Sequence, residues 1–167
     1  MKRKALWGVL AVAAVAGLSA SGVLATPPSG QTTTTYAKAT VGPLDLKAKA
    51  HPANSWRGRL RTHGQSDFYV VDNKFAVGGT SGWHSHPGPS LIFVVAGQIT
   101  NYLGEDPTCT PHVYTAGQAF TDEGGADVHL LRNEGTVQAE TIAVQFVPKD
   151  VNRRIDKPDP GNCHFGG

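Results

Sequence analysis

The stretch that decides the fold is Gly78–Gly97, GGTSGWHSHPGPSLIFVVAG. It opens on glycines, places two histidines at positions 84 and 86, turns through Pro87-Gly88-Pro89 and ends in an apolar run that Gly97 stops. On an extended chain, residues i and i+2 share a face. His84 and His86 therefore project into one space, and Trp83 points the other way. The apolar run Leu91–Ala96 is short, β-branched and bounded by turn residues, the signature of a buried strand.

Outward from it the pattern repeats. Phe68–Val77, Ile99–Leu103, His112–Tyr114, Gln118–Thr121, Val128–Arg132 and Val137–Val147 are further strand candidates, and no segment carries a convincing helical periodicity. Many short strands punctuated by glycine predict an all-β barrel or sandwich. A third histidine, His129, stands on one of these strands. A barrel that sets this strand opposite residues 82–86 gathers three imidazoles, a donor set suited to iron, manganese, zinc, nickel or copper.

The glycine frame around the histidines carries a resemblance. The first stretch reads Gly78, five residues, His84-x-His86, three residues, Ser90, six residues, Gly97. The second reads Gly117, five residues, Glu123-x-Gly125, three residues, His129, three residues, Asn133. Together they resemble the two motifs of the cupin family, G-x5-H-x-H-x3/4-E-x6-G and G-x5-P-x-G-x2-H-x3-N. The resemblance covers residues 67–148. It implies a jelly-roll β-barrel with one divalent transition metal held by His84, His86 and His129, and a small-molecule ligand. Three departures stand out. Ser90 occupies the position of the family's glutamate ligand, Glu123 that of its proline, and one extra residue precedes His129. A serine hydroxyl is a poor ligand beside a carboxylate, so the expected site is three histidines with open positions. Three neutral imidazoles leave the +2 of a divalent ion uncompensated, which predicts an anionic ligand.

The function this implies is a metal-dependent dioxygenase, isomerase or lyase acting on a small anion. The alternative is a cupin that binds a ligand or metal without turnover. No general base is evident, and Glu123 and Tyr102 are the candidates for mutation. Such folds pair as dimers through an N-terminal arm, so a homodimer is an expectation of the resemblance.

The ends of the chain read differently. Lys2, Arg3 and Lys4 precede an uncharged, mostly apolar run that reaches Leu24, and Val23-Leu24-Ala25 suits signal peptidase, so residues 1–25 read as a signal peptide cleaved after Ala25. The protein is then secreted, periplasmic or at the cell surface. An uncleaved segment would make it a membrane anchor. Residues 26–35, TPPSGQTTTT, read as a disordered spacer, 36–66 as an N-terminal arm with one strand near Leu44–Lys49, and 149–167 as a polar tail. The net charge is +2, and three positive charges lie in residues 2–4, so the remainder carries a small negative charge. That composition gives no electrostatic footprint for nucleic acid. The two cysteines, Cys109 and Cys163, read as one disulfide in an exported chain, with free thiols or an intermolecular bridge as alternatives.

Overall fold

A computed structural model describes residues 24–50 and 56–165, and every regular element in them is a β-strand. None of the described residues forms a helix long and apolar enough to cross a membrane. Most of the segment that reads as a signal peptide in the sequence, residues 1–23, lies outside the described residues.

Twelve strands form in chain order: β1 (Ser29–Val41), β2 (Asp45–Lys49), β3 (Arg57–Arg61), β4 (Ser66–Thr80), β5 (His84–Ser85), β6 (Ser90–Ala96), β7 (Gln98–Leu103), β8 (His112–Thr115), β9 (Ala119–Asp122), β10 (His129–Arg132), β11 (Ala139–Pro148) and β12 (Ile155–Asp156). One five-stranded layer runs β1-β4-β11-β6-β9, antiparallel throughout. The other runs β12-β5-β10-β7-β8. A rung between Arg132 and Thr80 joins them, so the sheet nearly closes on itself as a jelly roll.

The alternation along β6 and β11 sets what lies between the layers. Ser90, Ile92 and Val94 of β6 are buried, whereas Leu91 and Phe93 are exposed. On β11 the buried set is Ala139, Thr141, Ala143, Gln145 and Val147. With period two, one face of each strand faces its partner layer. Val71, Phe75, Ile92, Val94, Ile99, Phe120 and Leu131 pack together there as the main core. At the Ser90 and Gln145 end the inward positions turn polar, and that end holds the histidines.

A second cluster lies on the other face of the β5-β10-β7 layer. Trp83, Tyr102, Leu130 and Cys163 are buried together, with Phe165 against them. Trp83 points away from His84 as strand parity requires, yet it is only 1% exposed because the C-terminal segment covers it. Cys109 and Cys163 are joined in a disulfide that holds this segment down.

Two expectations from the sequence change here. Residues 29–35 are the start of a 13-residue strand and not a spacer, since β1 pairs with β4 along its whole length. Threonine suits an extended chain, and the stretch also gains side-chain anchors: Thr33 Oγ1 donates to Asn73 Oδ1 at 2.8 Å and Gln31 Nε2 to the same oxygen at 3.1 Å. The arm, in turn, carries two strands beyond β1. β2 pairs with β3 in a separate two-stranded hairpin of exposed and half-buried residues.

Candidate metal centre

His84 and His129 are rung partners across β5 and β10. That pairing brings their Nε2 atoms to 3.1 Å. His86 follows the short strand β5 and sits edge-on to both rings. Gly82 sets up this approach: its φ is +66°, and a Cβ there would collide with the Thr26 carbonyl, so only glycine fits. Asn133 closes the other side. It is fully buried, and its Nδ2 donates to the carbonyls of Phe75, Ala76 and Val137 at 2.8–3.1 Å. Its place in the motif is thus structural: it pins the chain after β10.

The ligand atoms of His84, His86 and His129 all lie within 4.8 Å of one another. Ligand atoms sharing one ion at bonds of ~2.1 Å sit ~3–4 Å apart, so the cluster is close to a closed coordination sphere. The ring orientations fit as well. His84 Nδ1 lies 2.9 Å from the Gly82 carbonyl and His86 Nδ1 2.6 Å from the Arg153 carbonyl. A carbonyl only accepts, so both Nδ1 atoms carry the proton and both Nε2 lone pairs face the cluster. Burial holds all three imidazoles below the ordinary 6.5, His129 to about 3, with the neighbouring imidazoles adding to the shift at His84 and His129. Neutral rings with converging Nε2 atoms are the form a metal ion needs, and His129 Nε2, which hydrogen-bonds His84 Nε2, would give up any proton to the ion.

The site differs from three histidines alone. Asp122, the last residue of β9, is buried and turned into the cluster. Its Oδ2 lies 3.7 Å from His86 Nε2 and 3.9 Å from His129 Nε2. Burial raises its pKa, and the Gly124 N–H that it accepts at 2.8 Å works against the rise. Ser90 is its rung partner and donates to Oδ2 at 3.4 Å, while Gln145 Nε2 donates to Ser90 Oγ at 3.1 Å. A buried carboxylate from β9 thus stands beside the three imidazoles, where the sequence led to none.

The two proposed acid–base candidates stand elsewhere. Glu123 is exposed in the turn after β9, beside Asp122 in sequence but facing solvent. Tyr102 lies on the outer face with Trp83 and Leu130. Its hydroxyl donates to Glu134 at 2.8 Å, and burial together with that carboxylate pushes its pKa up to about 12. Strand parity turns Tyr102 away from the histidines, and the turn that follows the inward-facing Asp122 leaves Glu123 in solvent.

A cavity of about 80 Å³ opens beside the three histidines. Gln31 and Thr33 of β1 form part of its wall, as do Arg153 and Arg154 from the tail. Burial lowers the pKa of both guanidiniums, though they remain cationic. Arg154 is spent on Asp156 (2.7 Å) and the Ser81 carbonyl (2.6 Å), whereas Arg153 donates from one nitrogen to Gln145 Oε1 at 3.1 Å. Gln31 Oε1 and Thr141 Oγ1, also on this wall, are buried without a hydrogen-bond partner. The chain thus presents metal ligands, two cations and unspent polar atoms to one small space.

Residues 73–145 match the model of the cupin domain family. Among solved structures, an oxalate oxidase is similar at 21% identity over 53% of this chain and 45% of that one, with a TM-score of 0.45. This chain therefore spans under half the length of that protein. A cupin-like protein from Thermotoga maritima is 18% identical over 55% of this chain and 65% of its own, with a TM-score of 0.48. An uncharacterized conserved protein with a double-stranded β-helix domain from Klebsiella pneumoniae is 18% identical over 70% and 85%, with a TM-score of 0.46. No curated protein sequence matches. With the paired layers and the glycine-framed histidines, the match identifies residues 73–145 of this chain as a cupin domain.

Proposed function

We propose that this chain is an exported, metal-dependent cupin that binds a small carboxylate beside the metal and acts on it as a dioxygenase, isomerase or lyase. The observation that carries this is the shared cavity: His84, His86 and His129 line one side and Arg153 and Arg154 another. Arg153 can offer its remaining N–H groups to a carboxylate, an interaction that is short and strong when charge-assisted. About 80 Å³ is small against the ~300–1,000 Å³ of typical ligand sites, which restricts the ligand to a few heavy atoms. Gln31 Oε1 is free to accept from a ligand hydroxyl.

His84, His86 and His129 would hold a divalent transition metal, which supplies Lewis-acid polarisation or, for a redox-active ion, electron exchange with dioxygen. The chain's own part is to hold the ligand's carboxylate with Arg153 and to keep His86 oriented through the Arg153 carbonyl. The apolar side chains of Ile92, Leu131 and Ala143 narrow the access of water. One feature favours the alternative of a binder without turnover. Beyond the ligand set and its neighbouring Asp122, the lining offers no group suited to a general base among the described residues. Export is supported by the Lys2–Lys4 segment with its apolar run, and by the disulfide, which belongs to oxidising compartments.

Calorimetric titration of the metal-loaded protein with glycolate and with its neutral amide tests the reading. Arg153→Ala should weaken glycolate binding by roughly ten- to a hundredfold, the ~1.5–3 kcal/mol of a hydrogen bond to a charged group, and leave the amide unaffected. Equal affinity of the wild type for acid and amide contradicts it. Oxygen uptake with carboxylate substrates then separates turnover from binding.

A further inference from the structure

We infer that Asp122 is the fourth protein ligand of the metal centre, a carboxylate transposed one rung across the β6–β9 pair from position 90. This rests on the reading of His84, His86 and His129 as metal ligands.

Three observations carry it. The first is register. Ser90 and Asp122 lie directly opposite each other on antiparallel strands. Rung partners project from the same face with Cβ atoms ~4.5–5.5 Å apart. A carboxylate on either residue therefore reaches the same space. The resemblance places a ligand at 90, where this chain has serine, and the acid stands across the rung.

The second is distance. The separations of 3.7 and 3.9 Å from Asp122 Oδ2 to His86 Nε2 and His129 Nε2, with 3.1 Å between His84 and His129, are those of atoms facing one ion. At bonds of ~2.1 Å, two ligand atoms are at most ~4.2 Å apart, and the histidine atoms, which spread to 4.8 Å, would draw together on an ion. Neither Asp122 separation is a direct hydrogen bond of carboxylate to imidazole.

The third is charge. Asp122 is 6% exposed, and no lysine or arginine among the described residues pairs with it. A buried carboxylate with only neutral imidazoles beside it is expensive, and a cation between them offsets that cost. Its hydrogen bonds leave room for one. Oδ1 accepts from Gly124, and Oδ2, held at long range by Ser90, is the oxygen that faces the histidines. Gly124 itself is fixed by φ +75° and by its contact with the Gly88 carbonyl, where a Cβ would collide. The turn thus holds the carboxylate in place.

With Asp122 as a ligand, a divalent centre carries a formal charge of +1 and not +2. The anionic ligand is then selected by Arg153 as much as by the metal.

The test uses the full mature chain, with Zn²⁺ affinity read by competition with a chromophoric chelator and the ligand set read from the visible spectrum of the Co²⁺-loaded protein. Four proteins are compared: wild type, Asp122→Asn, the exchange S90E/D122S, and His86→Ala. Asp122→Asn keeps the shape and the acceptor for Gly124. It should lower Zn²⁺ affinity by about five-hundredfold, beyond the ~10–100-fold typical of an outer-shell partner, and change the Co²⁺ spectrum, which reports the loss of the ligand bond itself. The exchange should recover affinity to within about tenfold of wild type. Asp122→Asn binding as wild type, with an unchanged Co²⁺ spectrum while His86→Ala has lost the metal, overturns the assignment and leaves the three-histidine reading intact. A wild type that binds neither ion overturns both.

Discussion

Replacing His129 with alanine should weaken metal binding by roughly two to three decades, enough to empty the site at a metal concentration that fills the wild type. His129 is the one histidine supplied by β10, and without it His84 and His86 remain as a pair from a single short segment. Apparent binding energies of ~10–16 kcal/mol spread over about four ligands give ~3 kcal/mol for each, roughly two to three decades in affinity. The effect has a second signature. A metal held at a hundred times its dissociation constant stabilises the fold by ~2.7 kcal/mol, and for a domain of this size each kcal/mol moves Tm by ~2–4 °C. The wild type should therefore melt roughly 5–10 °C higher when metal is added, and His129→Ala should show no shift. Thermal melts with and without Zn²⁺ check this directly. A variant that keeps the wild-type shift would remove His129 from the ligand set.

The double replacement C109S/C163S should produce the largest loss of stability. The bridge closes a loop with a sequence separation of 54. The chain-entropy relation assigns such a loop ~4 kcal/mol, and hence a drop in Tm of roughly 8–16 °C. The consequence extends to the metal. The bridged segment carries the Arg153 carbonyl, which accepts from His86 Nδ1 at 2.6 Å, and β12, which pairs with β5 at Ser85 and His84. Loosening it frees the His86 ring, and loss of an outer-shell partner of this type costs ~10–100-fold in metal affinity. Melting and metal titration of the double variant should thus both move. A Tm within about 2 °C of wild type would show that packing of Trp83, Tyr102 and Leu130 holds the segment without the bridge.

What the sequence made legible, and what it hid, follows from locality. His84 and His86 could be read as neighbours because strand parity is a local rule, and their link to His129 because glycines frame both segments at fixed spacing. Trp83 was placed on the opposite face by the same parity. Asp122 was hidden although it stands next to the weighed Glu123. Choosing between the two requires the register of β6 against β9, which no spacing along one strand contains. Once Ser90 is known to face Asp122, the gap and its filling are one observation. Residues 29–35 hide their strand for a related reason. TTTT looks like low-complexity linker until β4 is laid beside it, and its partner residues lie about forty positions away. The cationic wall was invisible because the stretch around Arg153 and Arg154 is polar and rich in turns. Its order comes from the distant disulfide and from Gln145, Ser81 and His86.

The central claim is that this barrel holds a metal at His84, His86 and His129. Elemental analysis of protein purified from the exported fraction, without chelator at any step, tests it most directly. The account predicts close to one first-row transition-metal ion per chain in the wild type and none in His129→Ala. A wild type with no such ion, which also fails to take up added Zn²⁺ or Co²⁺, would contradict it.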